Sequence, residues 1–196
     1  EENLGKEHNA DLTPVISLER KIFPSVDKPM VCELYTLVNI SKDPVMVYIP
    51  EFAQRITTPE KNGKDGSYII DASIHGAGHY RLQPEDSISF SAVFQAFKAK
   101  GGAKLTPDVQ AELAARMKFI SDDIDSALVL ETPDPVINTM FRYSKIRASE
   151  SIFRTAGGLM HGPGGESYYA AIWANDQAEY VNAFFPYLGY GKGIES

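Results

Sequence analysis

The densest group of side chains that could do chemistry lies between His161 and Glu179. The stretch holds the chain's only tryptophan together with a histidine, two tyrosines and, after the tryptophan, an amide pair and two acids: Trp173, His161, Tyr168, Tyr169, Asn175, Gln177, Asp176 and Glu179. A sugar offers an apolar C–H face to an aromatic ring and a rim of hydroxyl groups to carboxylates and amides. The composition of this stretch is therefore typical of carbohydrate recognition.

Asp176 and Glu179 are three residues apart in a segment whose pattern predicts a helix beginning near Asn175 or Asp176. Side chains at that spacing point to neighbouring positions on a helix. Two carboxylates that flank a bond are the usual machinery of glycoside hydrolysis. Acids in a first helical turn are also favoured by the helix dipole alone. The spacing leaves three roles open: catalysis, ligand contact and a solvated helix face.

The histidines have two interpretations each. His161 lies within a glycine-rich loop over 155–165, where glycines permit backbone angles closed to other residues, so it either contacts a ligand or braces the turn. His75 and His79 have the i, i+4 spacing of a helical zinc site, but the glycines between them predict a strand or turn. We therefore expect no metal site and no cofactor. Two roles stay open for Trp173, namely stacking on a sugar and packing in the core.

The elements before these residues are predicted to be strands. Runs rich in Val, Ile, Tyr, Phe and Thr are separated by turn residues, over 13–20, 30–39, 44–49, 67–74 and 86–97. Their near-regular spacing indicates an antiparallel β-sandwich. The alternation from Ser87 to Phe94 predicts one buried and one wet sheet face. Cys32, the only cysteine, lies in an extended apolar run and is expected to be a buried structural thiol.

After Gly102 the apolar period changes from two to about 3.6. Thr106 is a suitable N-cap and Pro107 a suitable first residue for a helix whose apolar stripe is Val109, Leu113, Met117 and Ile120. A second helix is predicted to open at 132–135 and to include Ile152 and Phe153. It is apolar around much of its circumference, so something must bury it. We therefore expect the chain to be part of a longer protein or to pair with a second copy.

Composition excludes several classes of function. The chain has 196 residues, with 19 Lys plus Arg against 26 Asp plus Glu and a net charge of −7, and its basic residues are scattered. This balance argues against a nucleic-acid binder. The sequence has no apolar run of the roughly 20 residues that a membrane span requires. A hydrophobic content of 43% is enough to bury a real core.

Three segments, 138–153, 158–165 and 168–180, together resemble the start of the catalytic domain of bacterial six-hairpin glycosidases. These Bacteroidetes-type (α/α)6-barrel glycoside hydrolases are similar to glycogen-debranching and trehalase-type enzymes. The resemblance implies a β-sandwich over 1–100, a helical linker over 101–131 and the first helices of an (α/α)6 barrel over 132–196. It also implies a periplasmic or secreted protein.

The family pattern implies that Trp173 and Asp176 line a sugar subsite, with Gln177, Glu179 and His161 as further substrate contacts. Asn175 stands where many relatives have arginine. The general acid and base come from later barrel loops in such enzymes, so the fragment itself is expected to be inactive. Two alternatives are a non-catalytic carbohydrate-binding module and a purely structural accessory domain. The expected partners are an oligo- or polysaccharide and the remainder of the enzyme or another copy of the chain.

Overall fold

The computed structural model describes residues 13–63, 66–155, 157–162, 173, 175, 179, 182–188 and 191–195. The chain divides into two compact units, Glu1–Leu113 and Ala114–Ser196. Antiparallel β-sheet dominates the first unit, and the second combines helices with one β-hairpin. The prediction of a mainly β protein with some helices is confirmed.

Seven strands build the first unit: β1 (Ile16–Pro24), β2 (Met30–Asn39), β3 (Val45–Ile49), β4 (Ala53–Thr57), β5 (Tyr68–His75), β6 (Gly78–Leu82) and β7 (Ser87–Lys98). Five of them form one antiparallel sheet in the order β1-β2-β7-β5-β4, and β3 and β6 pair in a second sheet. The predicted strand over 30–39 is β2 itself. β4 and β6 were not predicted as separate strands.

The core of this unit lies on one face of the five-stranded sheet. Phe23, Cys32 and Val93 face each other across β1, β2 and β7. Cys32 and Val93 are fully buried, which confirms the predicted burial of the thiol. The rest of the cluster comes from β2 and from the helix that follows the sheet: Met30, Leu34, Val109 and, partly buried, Leu113.

The alternation along β7 has a different consequence from the one predicted. Its most buried side chains are Ser91, Val93 and Gln95, while Phe94 is 42% exposed. The reason is that the chain beyond β7 folds back over the Val93 face. The Gln95 side-chain amide donates to the Leu105 carbonyl oxygen at 3.0 Å and accepts from the Leu105 N–H at 2.8 Å. The Gln95 side chain thus makes the two backbone hydrogen bonds that a neighbouring strand would make, and it holds this segment on the sheet.

The opposite face of the same sheet carries a set of exposed apolar side chains, which we call the apolar band. It takes one residue from each strand, each 41% to 56% exposed: Ile22, Val31, Phe94, Ile70 and Ile56. The register places Val31 opposite Phe94 and Ile70 opposite Ile56. Both faces of this sheet therefore carry apolar side chains.

The first helix, α1 (Val109–Phe119), begins later than predicted. Asp108, and not Thr106, provides the N-cap, because its carboxylate accepts from the Gln110 and Ala111 N–H groups at 3.0 and 3.1 Å. The predicted apolar stripe is also wrong in part, since Met117 is 58% exposed whereas Glu112 and Arg116 are buried. Ion pairs compensate both buried charges, Glu112 with Lys28 and Arg116 with Glu150.

In the second unit a π-helical segment, Ile120–Asp125, is followed by α2 (Pro135–Glu150). The predicted start of α2 is confirmed: the Asp134 carboxylate accepts from the Val136 N–H at 2.8 Å, and Pro135 occupies the first helical position. The predicted extension through Ile152 and Phe153 is wrong. Both residues belong to β8 (Ile152–Thr155), which pairs with β9 (Gly158–His161) in a tight hairpin.

Two short helices, α3 (Phe185–Leu188) and α4 (Gly191–Glu195), end the described part of this unit. They pack closely, because a Cβ atom built on Gly193 would lie 2.5 Å from a ring carbon of Phe185. Phe185 is almost fully buried, at 1% exposure. No described helix is long and apolar enough to span a membrane.

Candidate functional site

The predicted sugar-binding residues follow the β8–β9 hairpin. Thr155 pairs with Gly158 at the turn, and Gly158 has a φ of +115°, which glycine adopts without steric cost. The loop predicted over 155–165 is therefore in part a strand, since β9 runs to His161. The hairpin fixes the backbone of His161 opposite Ile152.

His161 lies in the packing of the second unit. It is 4% exposed, and its ring meets the Phe185 ring edge-on, with centroids 5.7 Å apart at 72°. Such edge-to-face pairs stabilise a buried ring beyond the area that they bury. The geometry accounts for His161 as a brace between the hairpin and α3. Its direct contact with a sugar stays a prediction.

Trp173 and Glu179 are placed differently from His161. The indole of Trp173 is 49% exposed, and Asn175 and Glu179 are exposed as well. Asp176 and Gln177 lie outside the described residues. The described members of the predicted site therefore divide into one buried ring and two exposed side chains, an indole and a carboxylate. Those two are the groups that could stack on a sugar and bond its hydroxyls.

A buried lysine, which the sequence did not indicate, organises the helices that precede this region. Lys145 is 5% exposed, and its ammonium donates to the carbonyl oxygens of Ile124 at 2.5 Å and Leu128 at 2.9 Å. Burial lowers the pKa of Lys145, and the nearby Asp125 carboxylate opposes that shift. The two oxygens of the Asp125 carboxylate accept hydrogen bonds from Nε and Nη2 of Arg142, at 2.7 and 2.9 Å.

The five-stranded sheet holds two buried carboxylates, one on each of its faces. Glu33 accepts from Arg20 at 2.8 and 3.3 Å and from the Tyr35 hydroxyl. Burial raises the pKa of Glu33, but these hydrogen bonds outweigh it and the net shift is downward. Arg20 lies 5.6 Å from the centre of the Tyr35 ring, which stacks on Phe90 at 4.7 Å.

The second buried carboxylate, Asp71, lies on the core side of the sheet and is 5% exposed. One oxygen accepts from Arg55 at 2.9 and 3.1 Å, and the other forms an ion pair with Lys104. The Lys104 ammonium lowers the pKa of Asp71, and Arg55 adds to the shift against the effect of burial. This arrangement joins β5, β4 and the segment that leads to α1, so its first role is structural.

Sequence reasoning also missed an exposed aromatic pair on the two-stranded sheet. The Tyr48 and His79 rings stack across β3 and β6 with centroids 4.4 Å apart at 19°. The available signal was the two-residue period of a strand, which puts Met46 and Tyr48 on the same strand face. His75 and His79 lie on different strands, β5 and β6, on either side of a turn at Gly76 with φ of +87°.

Within the described residues, no group of three or more histidine, cysteine, aspartate or glutamate side chains is arranged to hold a metal ion. Comparisons of this chain with protein-family models, with curated proteins and with solved structures found no match.

Proposed function

We propose that this chain is the N-terminal part of a glycoside hydrolase that acts on glycosidic bonds of an oligo- or polysaccharide. One observation carries the proposal: the only tryptophan of the chain, Trp173, leaves half of its surface exposed within a segment of amides and acids. Tryptophan is highly buried on average, so a half-exposed indole is suited to stacking on a ligand.

The proposed architecture follows the resemblance. The strands of the first unit would form the β-sandwich over 1–100, the residues 101–131 a linker, and the residues 132–196 the beginning of an (α/α)6 barrel. The order of elements supports this proposal, because the antiparallel strands β1 to β7 precede α1 and α2. By the same resemblance, the protein would be periplasmic or secreted.

The proposed chemistry is acid–base hydrolysis with two carboxylic acids. One protonates the glycosidic oxygen, and the other activates the attacking water. Both would come from barrel loops beyond residue 196. In the present chain Trp173 would stack on a sugar ring, while Asp176, Gln177 and Glu179 would bond its hydroxyl groups. His161, which is buried against Phe185, would hold the hairpin that leads into this segment.

A non-catalytic carbohydrate-binding module is the second candidate. One observation favours it: the two-stranded sheet of the first unit also presents an exposed aromatic ring, that of Tyr48. A binding module would hold a glycan without cleaving it, whereas the enzyme would release reducing ends.

The test is hydrolysis by the natural full-length product on a panel of glycans, with Trp173→Ala and Trp173→Phe variants. We expect cleavage of one glycan class, a loss of about tenfold or more in kcat/KM for Trp173→Ala, and partial recovery with Phe, because a stacking contact is worth about 1 to 2 kcal/mol. Tyr143→Ala, which removes an exposed tyrosine of α2, is the matched control. A product that binds glycans but cleaves none would favour the binding module.

A further inference from the structure

The outward side of the β3–β6 sheet carries four side chains that neither unit's core uses. Met46 and Tyr48 on β3 are 67% and 62% exposed, and His79 and Arg81 on β6 are exposed as well. The register places Met46 opposite Arg81 and Tyr48 opposite His79. We call these four residues the outer patch. The inward side of the same sheet contains Ile49 and Leu82, which are buried.

The aromatic pair of the outer patch is ordered but open. The Tyr48 and His79 rings stack with centroids 4.4 Å apart, so each ring covers one face of the other. Tyr48 is nevertheless 62% exposed, so stacking on His79 leaves most of the residue accessible. A ring that is fixed by its neighbour loses little conformational freedom when a ligand stacks on it. Such a surface suits the C–H face of a sugar.

Arg81 supplies the charge of the outer patch. Two other arginines of this unit, Arg20 and Arg55, each pair with a buried carboxylate. No described carboxylate pairs with Arg81. It lies diagonally across the two strands from Tyr48, a separation of about 7 to 8 Å that a long side chain can bridge. A guanidinium binds a carboxylate through two parallel N–H bonds, which no neutral hydroxyl group can match.

We propose that the outer patch binds a uronic-acid unit of a glycan, with the sugar ring on Tyr48 and its carboxylate on Arg81. The inference rests on the proposed carbohydrate function and specifies its substrate class as acidic glycans. It is a site separate in sequence from Trp173, and it requires no residue of the second unit. Complementary charge selects the occupant, because the guanidinium of Arg81 has no described carboxylate as a partner.

The experiment is isothermal titration calorimetry of the 196-residue chain with trigalacturonate, a glucuronate-containing oligosaccharide and, as a neutral ligand, cellotriose. We expect a uronate to bind at least tenfold more tightly than cellotriose, and higher salt to weaken that binding. Tyr48→Ala and Arg81→Gln should each raise the Kd about tenfold. Tyr48→Phe retains the ring and should bind almost as the parent does, and Tyr143→Ala should have no effect.

The outcomes separate this inference from the proposed function. Equal affinity for cellotriose and the uronates, or an unchanged Kd in Arg81→Gln, would overturn it. Uronate binding that Trp173→Ala abolishes and Tyr48→Ala leaves intact would also overturn it, while supporting the proposed site. If the chain binds none of the three ligands, the outer patch is not a uronate site, and hydrolysis by the full-length product still decides the proposed function.

Discussion

Replacing Val93 with alanine tests the position of the core directly. Val93 is fully buried at the centre of the five-stranded sheet, opposite Cys32 on β2 and Ser73 on β5. Val31 provides a matched control: it lies on β2, the strand next to Val93, points to the other face of the sheet, and is 41% exposed as part of the apolar band. The same substitution at both positions removes the same atoms from two different environments.

The expected cost at Val93 follows from the two methylene equivalents that are lost. Their transfer contributes about 0.8 kcal/mol each, or about 1.6 kcal/mol together. A residual cavity of about 40 Å³ adds about 1 kcal/mol at 24 cal/mol per Å³. Val93→Ala should therefore lower the free energy of unfolding of the first unit by about 2.5 kcal/mol. Val31→Ala should cost less than about 1 kcal/mol, since its side chain stays partly solvated.

Urea unfolding measures both effects, and two signals separate the units. Far-ultraviolet circular dichroism reports the sheet together with the helices, whereas fluorescence of Trp173, the only tryptophan, reports the second unit, so a change seen in dichroism alone belongs to the first unit. We expect Val93→Ala to shift the dichroism transition without changing its slope. Equal costs for Val93→Ala and Val31→Ala would refute the reasoning, because they would mean that both faces of the sheet are equally buried.

Three further predictions concern buried polar groups. The pKa of Asp71 is lowered in the folded state, so its ion pairs stabilise the fold at pH values above the ordinary carboxyl pKa of 3.8. This contribution is lost as the pH falls through the folded pKa. The unfolding free energies of the parent and of Asp71→Asn, measured in acid titrations, should therefore converge at low pH. Lys145→Met should destabilise the second unit by about 2 kcal/mol, because it leaves two carbonyl oxygens unsatisfied at about 1 kcal/mol each. The Lys118 side chain is 77% exposed, so the control variant Lys118→Met should not be measurably destabilised in the same fluorescence assay. Burial raises the pKa of Cys32, so a thiol reagent should label it only after unfolding, and rapid labelling of the native chain would contradict its place in the core.

The strands that could be predicted from the sequence are those with one clear environment. β2 was predicted with its bounds because Val31 to Val38 is a β-branched, apolar and aromatic run that only Glu33 interrupts. β4 has no such signal, since all five of its residues are exposed and none of them marks a buried face. β6 was missed because Gly76 and Gly78 indicate a turn, and the strand begins within it.

The candidate site could be predicted only as a set of residue types. Amino-acid composition pointed to Trp173 and Glu179, and both side chains are exposed. It could not show that His161 ends a strand, because the hairpin depends on pairing between Ile152 and His161, and such pairing is set by tertiary structure. Lys145 was overlooked for a similar reason. Only the carbonyl groups of the π-helical segment and of the residues after it explain why a lysine is buried on α2.

The two-faced five-stranded sheet has a consequence for how its strands find their register. In most half-buried sheets a slip of one residue exposes the whole core, so hydrophobicity alone rejects it. Here such a slip would exchange Val93 for Phe94, and the apolar loss would be small. A slip of β1 against β2 would instead separate Arg20 from Glu33, and a slip of β4 against β5 would separate Arg55 from Asp71, so each would remove a cation from a buried carboxylate. In this sheet, charge therefore adds to hydrophobicity in favouring the observed alignment of the strands.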